Sequence, residues 1–317
     1  MVTLNIKEHT WQVILNPNAG DSKCFDSWAL ISGKLDDAGV PYCLHKADEP
    51  SRGTVVAKQL CQEGHRHFIV IGGDGTINEV IDGIFSAGIN TREVYLSVMP
   101  LGRGNDWART HHFSQTVEEN LTTLLQGNFT SHDVGLVKTY KEDQVVQQRH
   151  FINICGFCFD AEVIYTATYK KPHSLGLSVY VLSLIKTLFK YKAQHVKVKM
   201  DDKTFDDKSF LAVAAICKYN GGGMCQAPMA DYQDGLFDVV IVPKVSPLRV
   251  IFNVKRLFAG THIQKIKKIK TYKTKELQIE SEDVLRCEVE GELLETGNYH
   301  LSIIPNSINT LTNSNLS

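Results

Sequence analysis

An excess of charge of either sign is missing from this chain. Lys and Arg total 34 against 35 Asp and Glu, a formal charge of -1. So balanced a chain has no global field to gather a polyanion, which argues against nucleic-acid binding and leaves any anionic contact to local patches. Long apolar runs are missing too. The longest candidate, Leu175 to Phe189, carries Ser178, Ser183, Lys186 and Thr187, and is too short and too polar to span a bilayer. The N-terminus MVTLNIKEHTWQVIL lacks the basic segment, apolar core and small-residue cleavage site of a secretory leader, so the cytoplasm is the expected address. Eight Cys show no paired framework, and reduced thiols are expected. Cys155 and Cys158 have the spacing of a redox dithiol. They lie mid-chain in FINICGFCF, away from any early helix N-terminus, and are expected to be buried packing residues. There is no internal repeat, no GxxxxGK[ST] and no GxGxxG.

What is present is a globular composition, 43% hydrophobic and 22% charged, in 317 residues, enough for two domains. Trp11 to Leu15, Pro41 to His45, His67 to Ile71 and Val94 to Met99 read as strands. They alternate with helical patterns over Ser22 to Ala38, Ser51 to Glu63, Ile77 to Ala87 and Val117 to Leu125. Such alternation predicts a parallel sheet, closing a first domain at residues 1–133. From Val134 the rhythm turns to strands at Val134 to Thr139, Gln147 to Ile154, Gln194 to Met200, Phe210 to Cys217, Phe237 to Val242, Glu276 to Glu280, Leu285 to Val289 and Tyr299 to Ile304. Helices over Ala161 to Tyr169, Leu175 to Tyr191 and Pro247 to Ala259 interrupt them. The expected fold is α/β plus β, with a C-terminal antiparallel β-sandwich at 134–304. The polar stretch 305–317 is expected to fray, unless a last strand returns to complete the first domain.

The strongest chemical signal is Gly72-Gly73-Asp74-Gly75-Thr76, between the strand HFIVI and the helix INEVIDGIF. Glycines let backbone approach phosphate oxygens, a helix N-terminus offers unpaired N–H groups, and an acid can hold a metal ion. A second loop, Pro100-Leu101-Gly102-Arg103-Gly104-Asn105-Asp106, also follows a strand and opens a helix. With the turn Asn16-Pro17-Asn18-Ala19-Gly20, these loops would converge at the carboxyl edge of one sheet, where ligands bind in open α/β folds.

In order and spacing, Asn16-Pro17 with Gly20, GGDGTINEV at 72–80 and PLGRGND at 100–106 resemble the diacylglycerol kinase catalytic-domain family. That family includes bacterial lipid kinases and sphingosine and ceramide kinases, and is similar in fold to NAD kinases. Matching segments continue at Asp133-Val134-Gly135, Asn153 with Gly156-Phe157, Asp160-Ala161, Ala230 to Asp238 and Glu290-Gly291-Glu292. The resemblance implies an ATP- and magnesium-dependent kinase that phosphorylates the hydroxyl of diacylglycerol or a related lipid. By the same resemblance Asn16, Pro17, Gly20, Gly72, Gly73, Gly75, Thr76, Gly102, Arg103, Gly104 and Asn105 would line the nucleotide site. Asp74 would serve magnesium and phosphates, and Asp133 would link that site to a second magnesium region. Glu292 would be the general base, since an alcohol is a poor nucleophile. Asp231, Asp234 and Leu236 would bind a structural magnesium through three oxygens of one loop.

Three positions depart from the family pattern. Arg103 stands where Thr or Ser is usual, Glu290 where Asp is usual, and Lys46-Ala47-Asp48 where a Thr is often found. The helix from Leu175, with Val179, Leu182, Leu184, Ile185, Leu188 and Phe189, is a candidate wall for acyl chains. Lys186, Lys190, Lys192 and the run Lys265 to Lys275 are candidate contacts to anionic headgroups at the inner face of the membrane. A soluble-substrate kinase acting on NAD, or a non-catalytic lipid-binding protein on the same scaffold, are the competing readings. The acceptor lipid and the oligomeric state, a homodimer included, are left open by the residues.

Overall fold

The computed structural model describes residues 1–20, 23–114, 116–169 and 177–313. The first half comprises β1 (Val2–Thr3), β2 (Trp11–Leu15), α1 (Lys23–Ala38), β3 (Tyr42–Lys46), α2 (Arg52–Gln62), β4 (His67–Gly72), α3 (Asp74–Phe85), β5 (Tyr95–Pro100), α4 (Asp106–Thr110) and α5 (Val117–Gln126). β2, β4 and β5 are apolar runs buried along nearly their whole length. Strands covered by helices on both faces require that composition. The order is β3-β2-β4-β5, all parallel, and the half-exposed β3 is the edge.

The second half comprises β6 (Asn128–Lys141), β7 (Gln144–Phe151), β8 (Ile154–Cys158), α6 (Phe159–Tyr169), α7 (Leu177–Lys190), β9 (Gln194–Met200), β10 (Thr204–Ala215), β11 (Phe237–Pro243), α8 (Pro247–Phe258), α9 (His262–Lys265), β12 (Lys270–Thr274), β13 (Glu276–Glu280), β14 (Cys287–Val289), β15 (Glu292–Leu293) and β16 (Asn298–Leu311). These strands pair with one another antiparallel and form the C-terminal β-sandwich. β16 joins the halves. It pairs antiparallel with β6 over most of its length, then parallel with β5 through Asn309 and Thr310.

Several bounds differ from the sequence reading. α3 begins at Asp74, three residues before Ile77, so Asp74, Gly75 and Thr76 form a first helical turn capped by the extended Gly73. The strand expected over Gln147 to Ile154 divides into β7 and β8. Between them the N–H groups of Ile152 and Asn153 leave the ladder and bond the Glu290 carboxylate, at 2.7 and 2.8 Å. Beyond Pro305 the described residues continue in β16 as far as Leu311. Proline cannot donate to a ladder, and the register shifts between Ile304 and Ile308, with Asn306 at φ 49°. β12 was read as part of a basic run because its alternation is weak. The start of the helix expected from Leu175, and the side chains of Val179 and Leu182, lie outside the described residues. Cys155 and Cys158 are buried in β8, and burial pushes the Cys158 thiol up to about 12.

Candidate nucleotide and phosphate-transfer site

Three loops meet at the carboxyl edge of the parallel sheet. Asn16 follows β2 and donates from Nδ2 to Thr76 Oγ1 at 3.1 Å, while its Oδ1 accepts from Asn18 N. Pro17 is half-buried beside it, and Gly20 adopts φ 62°. Leu101 N donates to Gly72 O at 2.9 Å, drawing the second glycine loop against the first. The contact is backbone to backbone: a Cβ at Gly73 would stand 2.9 Å from Gly102 Cα. Only glycine at both positions allows that approach. A Cβ on Gly72 would meet Thr76 Oγ1 at 2.5 Å, whereas one on Gly75 meets nothing within 4 Å. Gly75 therefore faces open space at the N-terminus of α3, where the first-turn N–H groups have no intrahelical partner.

The second loop is held by Asn105, a non-glycine residue at φ 52°. Its Oδ1 accepts from Gly102 N at 2.9 Å and its Nδ2 donates to the carbonyls of Pro100 and Gly102. Arg103, between Gly102 and Gly104, is exposed. Gly104 is required by Asp74, whose Oδ2 would lie 2.9 Å from a Cβ there. Asp74 Oδ1 accepts from Trp107 N at 3.0 Å, fixing the carboxylate at the junction of α3 and α4. Neighbouring Asp106 is buried and accepts from Gly222 N and Gly223 N at 2.7 and 2.6 Å. Burial pushes its carboxyl up, and the Asp74 charge adds to the effect.

Within electrostatic reach of Asp74, β14 and β15 form a hairpin whose two-residue turn is Glu290-Gly291, at φ 52° and 89°. Left-handed conformation at both turn positions is the geometry favoured by strand twist, and Asp fits it better than Glu. Glu290 is held there by its two bonds to Ile152 N and Asn153 N. Burial lifts its carboxyl to about 8, against those bonds, and Asp74 contributes in the same direction. Glu292, by contrast, is half-exposed, at 48%, and its Oε2 accepts from Arg149 Nη2 at 3.0 Å. Partial desolvation raises the Glu292 carboxyl above its ordinary range; Arg149 opposes this, while Glu79 and Asp82 add to it.

Arg149 was not singled out in the sequence, yet it ties the two domains at this point. Besides Glu292 it donates from Nε and Nη2 to Asn78 Oδ1, at 2.9 and 2.7 Å, and lies 3.8 Å from Asp82 on α3. Glu79, next along α3, accepts from Ser51 N and Gly53 N, both at 2.9 Å. The helix that carries Asp74 is thus locked to α2 on one side and to Arg149 on the other.

Asp133, Asp231, Asp234 and Leu236 form a second group. Asp133 is fully buried, and its carboxylate accepts from Gly235 N and Asn306 N, each at 2.7 Å, fastening the 231–236 loop to the bulge of β16. Burial raises that carboxyl. A path leads back to Asp74: His132 Nε2 accepts from Trp107 Nε1 at 3.3 Å, and Trp107 N bonds Asp74. Burial holds His132 down to about 4, so its ring is neutral near pH 7. Asp231 Oδ1 accepts from Gln233 N, and Asp234 Oδ1 accepts from Leu236 N. The remaining Asp234 oxygen pairs with Lys273, which also lies 3.5 Å from Asp238. Lys273 thus sets a positive charge beside the carboxylates of this loop.

Two cavities open in the sandwich, the smaller of them apolar. One of about 150 Å³ lies between β10, β11 and α8, lined by Leu211, Val240, Val242, Val250 and Leu257. The other, of about 1030 Å³, is mixed: Leu188, Phe189, Val245 and Val284 border it together with Lys192, Lys208, Lys244, Asp283 and Arg286.

Fold and site together define a two-domain class, a parallel α/β domain followed by an antiparallel β-sandwich. The family model of the diacylglycerol kinase catalytic domain matches residues 10–137, and that of the YegS C-terminal NAD kinase beta sandwich-like domain matches residues 155–312. The chain belongs to the diacylglycerol kinase catalytic-domain family. A diacylglycerol kinase of Staphylococcus saprophyticus is 24% identical over 281 residues, covering 89% of this chain and 88% of its own length. A crystal structure of a diacylglycerol kinase from Bacillus anthracis shares the fold at a TM-score of 0.72 and 19% identity, with 98% of each chain covered. Yeast NADH kinase complexed with NADH shares it at a TM-score of 0.52 and 10% identity, over 97% of this chain and 84% of its own.

Proposed function

We propose that the protein transfers the γ-phosphate of ATP to the hydroxyl of diacylglycerol or a closely related neutral lipid. The observation that carries this reading is the link from Glu292 through Arg149 to Asn78, on the same helix that Asp74 opens at the glycine cradle. Asn16, Pro17, Gly20, Gly72, Gly73, Gly75, Thr76, Gly102, Arg103, Gly104 and Asn105 line the nucleotide. The backbone N–H groups at the start of α3 meet phosphate oxygens. Asp74 would hold the magnesium that accompanies ATP, and that ion supplies neutralisation of the phosphate charge.

In the transfer, the lipid oxygen bonds to the γ-phosphorus as the bond to the β,γ-bridging oxygen breaks, and ADP carries away that electron pair. Glu292 takes the hydroxyl proton. Arg149 orients the Glu292 carboxylate, and Asp133 acts at a distance by fastening the 231–236 loop to β16. The apolar cavity between β10, β11 and α8 suits an acyl chain, which favours a lipid over a dinucleotide acceptor although the NAD kinase fold is shared. No described helix is long and apolar enough to cross a membrane. We place the protein on the cytoplasmic side, acting on lipid from the surface.

Glu292→Gln keeps the shape and removes the base. It should lower kcat by about a thousandfold, within the range of general-base contributions. ATP affinity, measured by calorimetry, should stay near that of the parent. Turnover near the parent's would remove Glu292 from the role of base.

A further inference from the structure

None of the residues of α8 is buried. One side of the helix, Val250 and Leu257, closes the cavity over β10 and β11. The opposite side presents Leu248, Ile251, Phe252 and Phe258, exposed by 58%, 42%, 81% and 48%. Ile251 and Phe252 lie three and four residues after Leu248, and Phe258 seven after Ile251, which puts them on one stripe. A helix apolar on two opposite sides requires a second covering, and an exposed patch of this kind marks an interaction surface. The patch continues past the N-terminus of α8. There Phe189 and Val284, 55% and 62% exposed, border the larger cavity together with Pro247.

Charge indicates what covers it. Between Asp238 and Glu276 the chain has ten Lys and Arg and no acid, although the whole protein is balanced. Lys244, Arg249, Lys255, Lys265, Lys267 and Lys268 are exposed on or beside α8 and α9. A second copy of the chain meeting this face symmetrically would bring like charges together. An anionic lipid surface offers both an apolar interior and phosphates.

We propose that α8 lies in the headgroup plane of an anionic lipid surface, with Leu248, Ile251 and Phe252 inserted and the flanking cations on lipid phosphates. The proposal rests on the lipid kinase reading and extends it, because α8 is also the wall of the apolar cavity beneath. Docked in this way, the sandwich receives its substrate from the bilayer without exposing acyl chains to water.

The test is sedimentation of the full chain with phosphatidylcholine vesicles, with and without phosphatidylglycerol. The parent should bind the vesicles containing phosphatidylglycerol more strongly, and added salt should weaken that preference. Replacing Ile251 and Phe252 together by Ser should lower partitioning by about tenfold or more, the loss expected for two inserted apolar side chains. Lys255→Gln with Lys267→Gln should abolish the preference for phosphatidylglycerol. Both sets are exposed, so phosphorylation of a short-chain, water-soluble diacylglycerol should stay within about twofold of the parent. Equal vesicle binding by the parent and both variants overturns the proposal. So does a parent dimer that the Ser variant dissociates while vesicle binding is unchanged, which makes the face a self-interface. If the parent phosphorylates no soluble diacylglycerol while vesicle binding follows the variants as stated, docking stands and the kinase reading falls.

Discussion

Glu290 and Glu292 are two residues apart, and burial raises both carboxyls against different partners. The Glu292 carboxyl is raised, and as base it must be ionised, so activity is lost as pH falls through its folded value. Arg149 is the cation opposing that rise. Arg149→Gln should therefore move the acid limb of the kcat profile to higher pH and lower its plateau by about tenfold or more. An unmoved limb would show that Arg149 does not set the charge of Glu292. Glu290 is a buried carboxyl lifted to about 8, so the folded state holds a proton that the unfolded chain releases at ordinary carboxyl values. Stability is thus penalised progressively from the unfolded value up to about 8, and fully above it. Glu290→Gln keeps an acceptor for Ile152 N and Asn153 N without the charge. Thermal melting should show no gain at low pH and a gain that grows to its maximum above about 8. Glu292 was legible in the sequence through a family motif. Arg149 was not, because the contact that gives it meaning joins strands 143 residues apart and no local pattern encodes it.

Elements were most legible where one local rule decides them. β2, β4 and β5 are short apolar runs closed by turn residues, and their parallel order follows from the helices between them. The start of α3 was less so, because three glycines and an acid read as loop; Gly73 ends the extended backbone and Asp74 already favours the helix N-terminus. The division of β7 from β8 depends on Glu290, supplied far downstream, and the passage of β16 through Pro305 depends on partners β5 and β6. The glycine cradle allows a test at this scale. Gly73→Ala drives a methyl into the Gly102 backbone and should cost about 2 kcal/mol or more in urea unfolding, along with ATP binding. Gly75→Ala has open space, should leave stability unchanged or slightly raised, and should weaken ATP binding if phosphates approach this turn. Equal ATP affinity in parent and Gly75→Ala would move the phosphates elsewhere.

On the scale of the molecule, β16 makes two domains cohere. It lies against β6 and β13 of the sandwich, gives the first domain a strand beside β5, and supplies Asn306 N to the buried Asp133. Deleting residues 305–317 would bare the edge of β5 and leave one Asp133 oxygen unbonded. The melting temperature should fall by about 10 °C or more, the effect of losing several kcal/mol in a chain of this size. A shift of a degree or two would show that β16 contributes little beyond the sandwich. The central claim is transfer of phosphate to a lipid hydroxyl by Glu292 from a nucleotide on the glycine cradle. The most direct measurement incubates parent and Glu292→Gln with magnesium and ATP labelled at the γ-phosphate, together with neutral lipids in mixed micelles and with NAD. The account predicts a labelled phospholipid with the parent and almost none with the variant. Labelled NADP with no labelled lipid would contradict it.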